Sequence, residues 1–216
     1  MLLRGTVWRV ALVIGALSLT GCFDNIYPTE NTDWTCSDGN ESPGGYFCQT
    51  DNELLRVGIS TLQLRQWEES TQRIHEVLRE EFDPTDLNVE WETPVYDGDA
   101  ETDIVYELAE AGGGLEGVTW CNDAKLRTDE CDQHYVRFDD DASWPNSSII
   151  CHETGHAVGL THGEEASPQV DNEDDQLGCM QTPVAAVDDS LGTHNVDMIN
   201  ATYPQPEDED GAPADA

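Results

Sequence analysis

The stretch from Cys151 to Gly163, CHETGHAVGLTHG, limits the local fold more tightly than any other part of this 216-residue chain. His152 and His156 stand four residues apart, so on a helix both imidazoles project from one face. His162 follows six residues after His156 and falls out of phase with that face if the helix continues. Gly159 resolves the conflict, because a residue without Cβ takes the left-handed conformation that ends a helix and turns the chain back. Ala157, Val158 and Leu160 suit a helix that is buried. The expected unit is a buried helix, a glycine break and a third histidine returning beneath the first two.

Three neutral imidazoles so placed match a zinc site whose fourth position is open to water, whereas structural zinc sites are usually closed by four protein ligands. Glu153, beside the first histidine, is placed to take the proton of that water while the metal lowers its pKa and polarises a carbonyl. His152, His156 and His162 are therefore the expected ligands of one catalytic Zn2+, and Glu153 the expected general base. A five-residue HExxH alone arises by chance on surface helices; the glycine and the third histidine make the longer string specific.

At every defined position the string HExxHxxGxxH resembles the extended motif of the metzincin metallopeptidases. That group carries a methionine turn beneath the zinc, and Met180 in LGCMQTP is similar to it in kind and placement. HYVRFDDDASW before the motif and LGTHNVDMINATY near the C-terminus resemble the matrixin-like branch, the latter its closing helix. The likeness spans about residues 53 to 203. It implies an α+β catalytic domain: a mixed twisted sheet, a long helix, the zinc helix, a Met-turn and a C-terminal helix. It also implies that the strand before the zinc helix, HYVRF, borders the cleft and pairs with extended substrate, and that QTPVAAV after Met180 walls the pocket beside the scissile bond. Two features depart from the group. Thr182 stands where some members place a metal-reaching tyrosine, and no PRCG-type latency string is present.

The N-terminus MLLRGTVWRVALVIGALSLTGC combines two arginines, an apolar run and small residues at its end, the pattern of a signal peptide over residues 1–21. Leu19-Thr20-Gly21-Cys22 resembles a prokaryotic lipobox, which implies lipidation of Cys22 and attachment to the membrane. Setting Cys22 aside leaves six cysteines of seven, enough for three disulfides in an oxidising compartment. Proximity favours Cys36 with Cys48 and Cys121 with Cys131. Cys151 and Cys179 remain; they directly precede His152 and Met180, and would meet if the Met-turn lies beneath the zinc. Free thiols acting as metal ligands are the weaker alternative, since the histidine set suffices.

Nine basic residues against 45 acidic ones give a formal net charge of −36, and Lys125 is the sole lysine. Such a surface excludes nucleic acid as a partner, because phosphate binding needs Lys and Arg clusters. It suits high salt, where screening shortens the range of self-repulsion, and so points to halophily, with an acidic secreted protein as the alternative; together with the lipobox this implies a halophilic prokaryote. Part of the acid lies outside the expected domain. Residues 22–52 read as an acidic tether carrying a Cys36–Cys48 loop, and residues 204–216 as a disordered tail. Asp139–Asp141 and Asp171–Asp175 offer oxygen ligands of the kind Ca2+ prefers, but Gln176 occupies the place of the EF-hand glycine, so no motif supports calcium and solvated surface is the favoured reading.

The body between 53 and 203 carries the scaffold. LLRVGI (54–59) reads as a strand, and Ser60 with Gln63 as a capping box for a helix running toward Phe82, with Trp67, Ile74, Val77 and Leu78 as its buried stripe. Asp83-Pro84 stops that helix. Leu87, Val89 and Trp91 alternate as a half-buried strand, DIVYEL (103–108) forms another, and a further strand runs from His134 to Phe138. His75, His134 and His194 read as surface or strand-end residues. The expected protein is a monomeric, extracytoplasmic, lipid-anchored zinc endopeptidase acting on protein or peptide substrates. A rival from another class is a non-catalytic surface lipoprotein that uses the same scaffold for binding or adhesion.

Overall fold

The computed structural model describes residues 24–26, 35–39, 47–60, 68–96, 101–139, 145–184 and 190–203. Cys22, the signal segment, Gln63, Trp67, Asp140, Asp141 and the 204–216 tail lie outside them. Six strands form one mixed sheet: β1 (Gln49–Thr50), β2 (Leu54–Ile59), β3 (Asn88–Glu92), β4 (Ile104–Leu108), β5 (Gly117–Ala124) and β6 (Glu130–Phe138). The order β1-β6-β4-β2-β3 is parallel throughout, and β5 adds antiparallel to β6. Among the described residues three α-helices accompany it: α1 (Glu68–Val77), α2 (Ser147–Ala157) and α3 (Gly192–Thr202). The result is a mixed α/β fold compatible with the expected α+β layout.

Alternation and continuous apolar runs explain which strands are central. β2 and β4 are buried over most of their length, as parallel strands covered on both faces should be, and Leu55, Val57, Ile104 and Tyr106 belong to the core. β3, at the edge, keeps the alternation of Val89 and Trp91 with exposed Asn88 and Glu90. α1 passes directly into a π-helical turn, Leu78–Phe82, and ends at Asp83-Pro84, burying Ile74, Val77, Leu78 and Phe82 against the sheet. His75 is exposed on α1, and its ring stacks on Trp91 with centroids 3.4 Å apart.

The structure departs from two expectations. The strand HYVRF is not an edge: β6 is hydrogen-bonded to β4 on one side and to β5 on the other, and β5 is the strand that borders the cleft. His134 is neither at the surface nor at a strand end; it is 1% exposed, lies between Ile104 of β4 and Cys121 of β5, and its Nε2 donates to Cys48 O at 3.2 Å.

The segment expected to be a tether is built into the fold at each described point. Asp24 and Ile26 form antiparallel bridges with Ser167 and Leu160, and Ile26 is buried. Buried Asn25 donates through Nδ2 to Asn195 Oδ1 of α3 at 2.6 Å, while its carbonyl accepts from Thr161 N at 2.8 Å. The few apolar side chains in this polar stretch find partners that composition does not reveal. Three disulfides close the molecule: Cys36–Cys48, Cys121–Cys131 and Cys151–Cys179. The first two sit in one small cluster in which Cys36, Cys48 and Cys121 have sulfurs within 4.8 Å of one another. Such bridges fit an extracellular location. No helix among the described residues is long and apolar enough to cross a membrane.

Candidate metal centre

α2 begins at Asn146, whose side chain accepts from Ile149 N at 2.9 Å and so satisfies one of the free amides of the first turn. The helix is buried almost throughout and tied to the sheet by a 2.9 Å hydrogen bond between Tyr106 Oη and Thr154 Oγ1. It ends in a Schellman arrangement, with Leu160 N donating to Gly155 O at 2.9 Å and Gly159 N to His156 O at 3.0 Å. Gly159 has φ +94°, and a Cβ there would fall 2.9 Å from Gln49 Cγ, so both backbone conformation and close approach require glycine.

That break returns His162 to the helix face. His152 Nε2 lies 3.0 Å from His156 Nε2 and 3.2 Å from His162 Nε2. Each of the first two rings is fixed from behind: His152 Nδ1 donates to Cys179 O at 2.7 Å and His156 Nδ1 to Leu160 O at 2.8 Å. With the proton on Nδ1, the Nε2 lone pairs face one another across the site. Burial lowers the pKa of all three, His152 to about 4, so each imidazole is neutral and able to ligate near pH 7. A tetrahedral ion bound to nitrogens at about 2.0–2.1 Å separates its ligands by about 3.3 Å, and the observed spacings fit that demand with little adjustment. The trio could hold a metal ion.

The floor is the kinked 3-10 turn Asp175–Met180 itself. Gly178, at φ +51° and ψ −128°, allows this turn to pass so near Ser190 and Leu191 that a Cβ would fall 2.5 Å from Ser190 O. Cys179 then bonds to Cys151 of α2, and Met180, fully buried, lies against Gly155 so closely that a Cβ at 155 would overlap its Sδ. Asn195 of α3 braces the turn by donating from Nδ2 to Leu177 O and Leu191 O, each at 2.7 Å.

The roof is β5 and the loop before it. Thr119 Oγ1 is 2.8 Å from Glu153 Oε2 and 2.8 Å from the Glu153 backbone oxygen. At Gly117 a Cβ would come within 2.7 Å of Glu153 Cγ, so glycine lets the strand run in contact with the carboxylate. Between roof and floor opens a cleft of about 490 Å3 that contains the three histidines and Glu153; its walls include Leu115, Val118, Ile149, Pro183 and Val184. Thr182 and Pro183 belong to the QTPVAAV segment expected there, of which residues 185–187 lie outside the described part.

Of the residues expected at the site, the structure brings His152, His156, His162 and Glu153 into one cleft and Met180 beneath α2. The side chains of Asp171 and Asp174 instead cap their own turns, accepting from Glu173 N and Gln176 N at 2.9 Å each. Thr119, Gly117 and Phe47 also line this cleft. They reach the site through sheet register and a long-range strand contact, and no local pattern marks them. Compared with known proteins, the chain matches no family model and no curated protein.

Proposed function

We propose that the chain is a zinc-dependent endopeptidase of the metzincin type, working outside the cytoplasm from a membrane anchor at Cys22. The observation that carries this reading is the convergence of three neutral imidazole nitrogens, His152, His156 and His162, in the same open cleft as the carboxylate of Glu153. Three ligands leave a fourth position for water, as catalytic zinc sites do. Zinc, when bound, supplies Lewis acidity toward a water molecule and a peptide carbonyl.

The chain's own residues provide the remaining functions. Glu153 accepts the proton of the attacking water and returns it to the nitrogen of the leaving amine. Thr119 restricts the rotation of that carboxylate through its hydroxyl. The first residues of β5, Gly117–Thr119, which line the cleft, would offer backbone donors and acceptors to an extended peptide, a mode that adds a strand to the sheet. Leu115, Val118, Ile149 and Val184 favour an apolar side chain next to the bond being cut. The buried contact of Met180 with Gly155 supports its reading as a Met-turn.

The test is metal analysis of the purified full chain combined with cleavage of a generic unfolded protein substrate. One zinc per chain and cleavage abolished by chelator and restored by zinc are expected. Stoichiometric zinc without any cleavage would favour the binding or adhesion reading instead.

A further inference from the structure

Phe47 lies outside every element that builds the metal centre, yet its ring is stacked on His156. The centroids are 3.7 Å apart and the planes 14° from parallel, and the same ring meets His162 edge-on at 6.3 Å. It also lines the cleft that holds Glu153.

This placement is held from several sides. The next residue, Cys48, is bonded to Cys36, and its carbonyl accepts from Nε2 of buried His134 at 3.2 Å. Gln49 and Thr50 then pair with Glu130 and Cys131 of β6. Gln49 is fixed again by Asp129, with N to O at 2.9 Å and Nε2 to Oδ2 at 3.2 Å, and it packs on Gly159 at the end of α2. The buried His134 and the glycine of the HExxHxxGxxH string thus support the same short strand that presents Phe47.

The hydrogen bond from His156 Nδ1 to Leu160 O restrains the imidazole within its own plane. It does little against tilting about that bond. A flat aromatic face at stacking distance opposes the tilt and shields one side of the ring from water. We propose that Phe47 is a positioning residue for the metal centre, so that the residue next to the Cys36–Cys48 bridge forms part of one wall of the site. The inference rests on reading the three histidines as metal ligands.

The experiment measures zinc affinity of the full chain by competition with a chelating dye, together with the visible spectrum of the cobalt-substituted protein. Phe47→Ala is expected to weaken zinc binding by about 10- to 100-fold, the range for loss of a group that orients a ligand, and to shift the cobalt bands. Phe47→Tyr, which keeps the flat ring, should stay within about threefold of the parent on the same scale. Phe47→Leu keeps apolar volume and guards against loss of fold; it too should bind zinc more weakly. Parent-like affinity and spectrum in Phe47→Ala or Phe47→Leu, or a loss in Phe47→Tyr as large as in Phe47→Ala, overturns the proposal. Hydrolysis is not read, so a chain that binds zinc but cuts nothing would defeat the peptidase reading alone, whereas a parent chain without zinc affinity would defeat both.

Discussion

Thr119 Oγ1 stands 2.8 Å from Glu153 Oε2, joining the edge strand β5 to the carboxylate beside the three histidines in the cleft. Losing a hydrogen bond to a charged group costs about 1.5–3 kcal/mol, or roughly 10- to 100-fold in rate if the bond matters to the reacting geometry. Thr119→Val is isosteric and should lower kcat by that order while zinc content is unchanged. Gly117→Ala should act in the same direction, since its Cβ would press on Glu153. Steady-state kinetics beside metal analysis checks both, and an unaltered kcat in Thr119→Val would remove Thr119 from the account.

Met180 and Gly155 are packed with no space for a methyl group between them. Gly155→Ala should therefore cost about 1–3 kcal/mol of stability by overpacking. Combining it with Met180→Ala should cost less than the sum of the two single changes, because each relieves the other's misfit. Denaturant midpoints measure the coupling, and strict additivity would mean that the two residues do not meet.

Burial lowers the pKa of His134 from 6.5 to about 4, against which the hydrogen bond to Cys48 O acts only partly. Between those values the unfolded chain binds a proton that the folded chain does not. The stabilisation from a neutral His134 is thus complete above pH 6.5 and is lost as the pH falls through this window toward 4. Its full size is on the order of 3 kcal/mol. His134→Gln, which cannot charge, should show a visibly flatter stability curve from pH 6.5 to 4 than the parent, and curves of equal slope would contradict the assignment.

The net charge of −36 makes self-repulsion a global feature of the chain. Raising salt from about 0.1 M to about 1 M shortens the screening length from about 10 Å to about 3 Å. The thermal midpoint should rise by at least several degrees over that range, on the order of the shift produced by 1 kcal/mol or more. A flat or falling midpoint would show that the acidic surface does not limit stability.

What the sequence makes legible depends on how local each feature is. The helix, its glycine break and the grouping of His152, His156 and His162 follow from spacing, because 3.6 residues per turn and a positive φ at Gly159 are short-range facts. Cysteine proximity likewise pointed to Cys36–Cys48 and Cys121–Cys131, both of which form. The edge strand is not legible, because the resemblance alone points to HYVRF and only the pairing of β6 with both β4 and β5 shows that β5 holds the edge. Nothing local marks His134 as a buried mid-strand residue rather than a surface or strand-end one, because its partner Cys48 is 86 residues away in sequence. Phe47 and Ile26 sit in a stretch whose polar composition hides a few well-anchored apolar contacts.

The most direct test of the central claim is Glu153→Gln in the zinc-loaded full chain, measured for both metal content and peptide hydrolysis. The neutral amide keeps the size of the side chain and can still meet Thr119, but it cannot take a proton from water. Zinc should remain at one per chain while hydrolysis falls by at least about a hundredfold, within the usual contribution of a general base. Full hydrolysis in that variant would contradict the account.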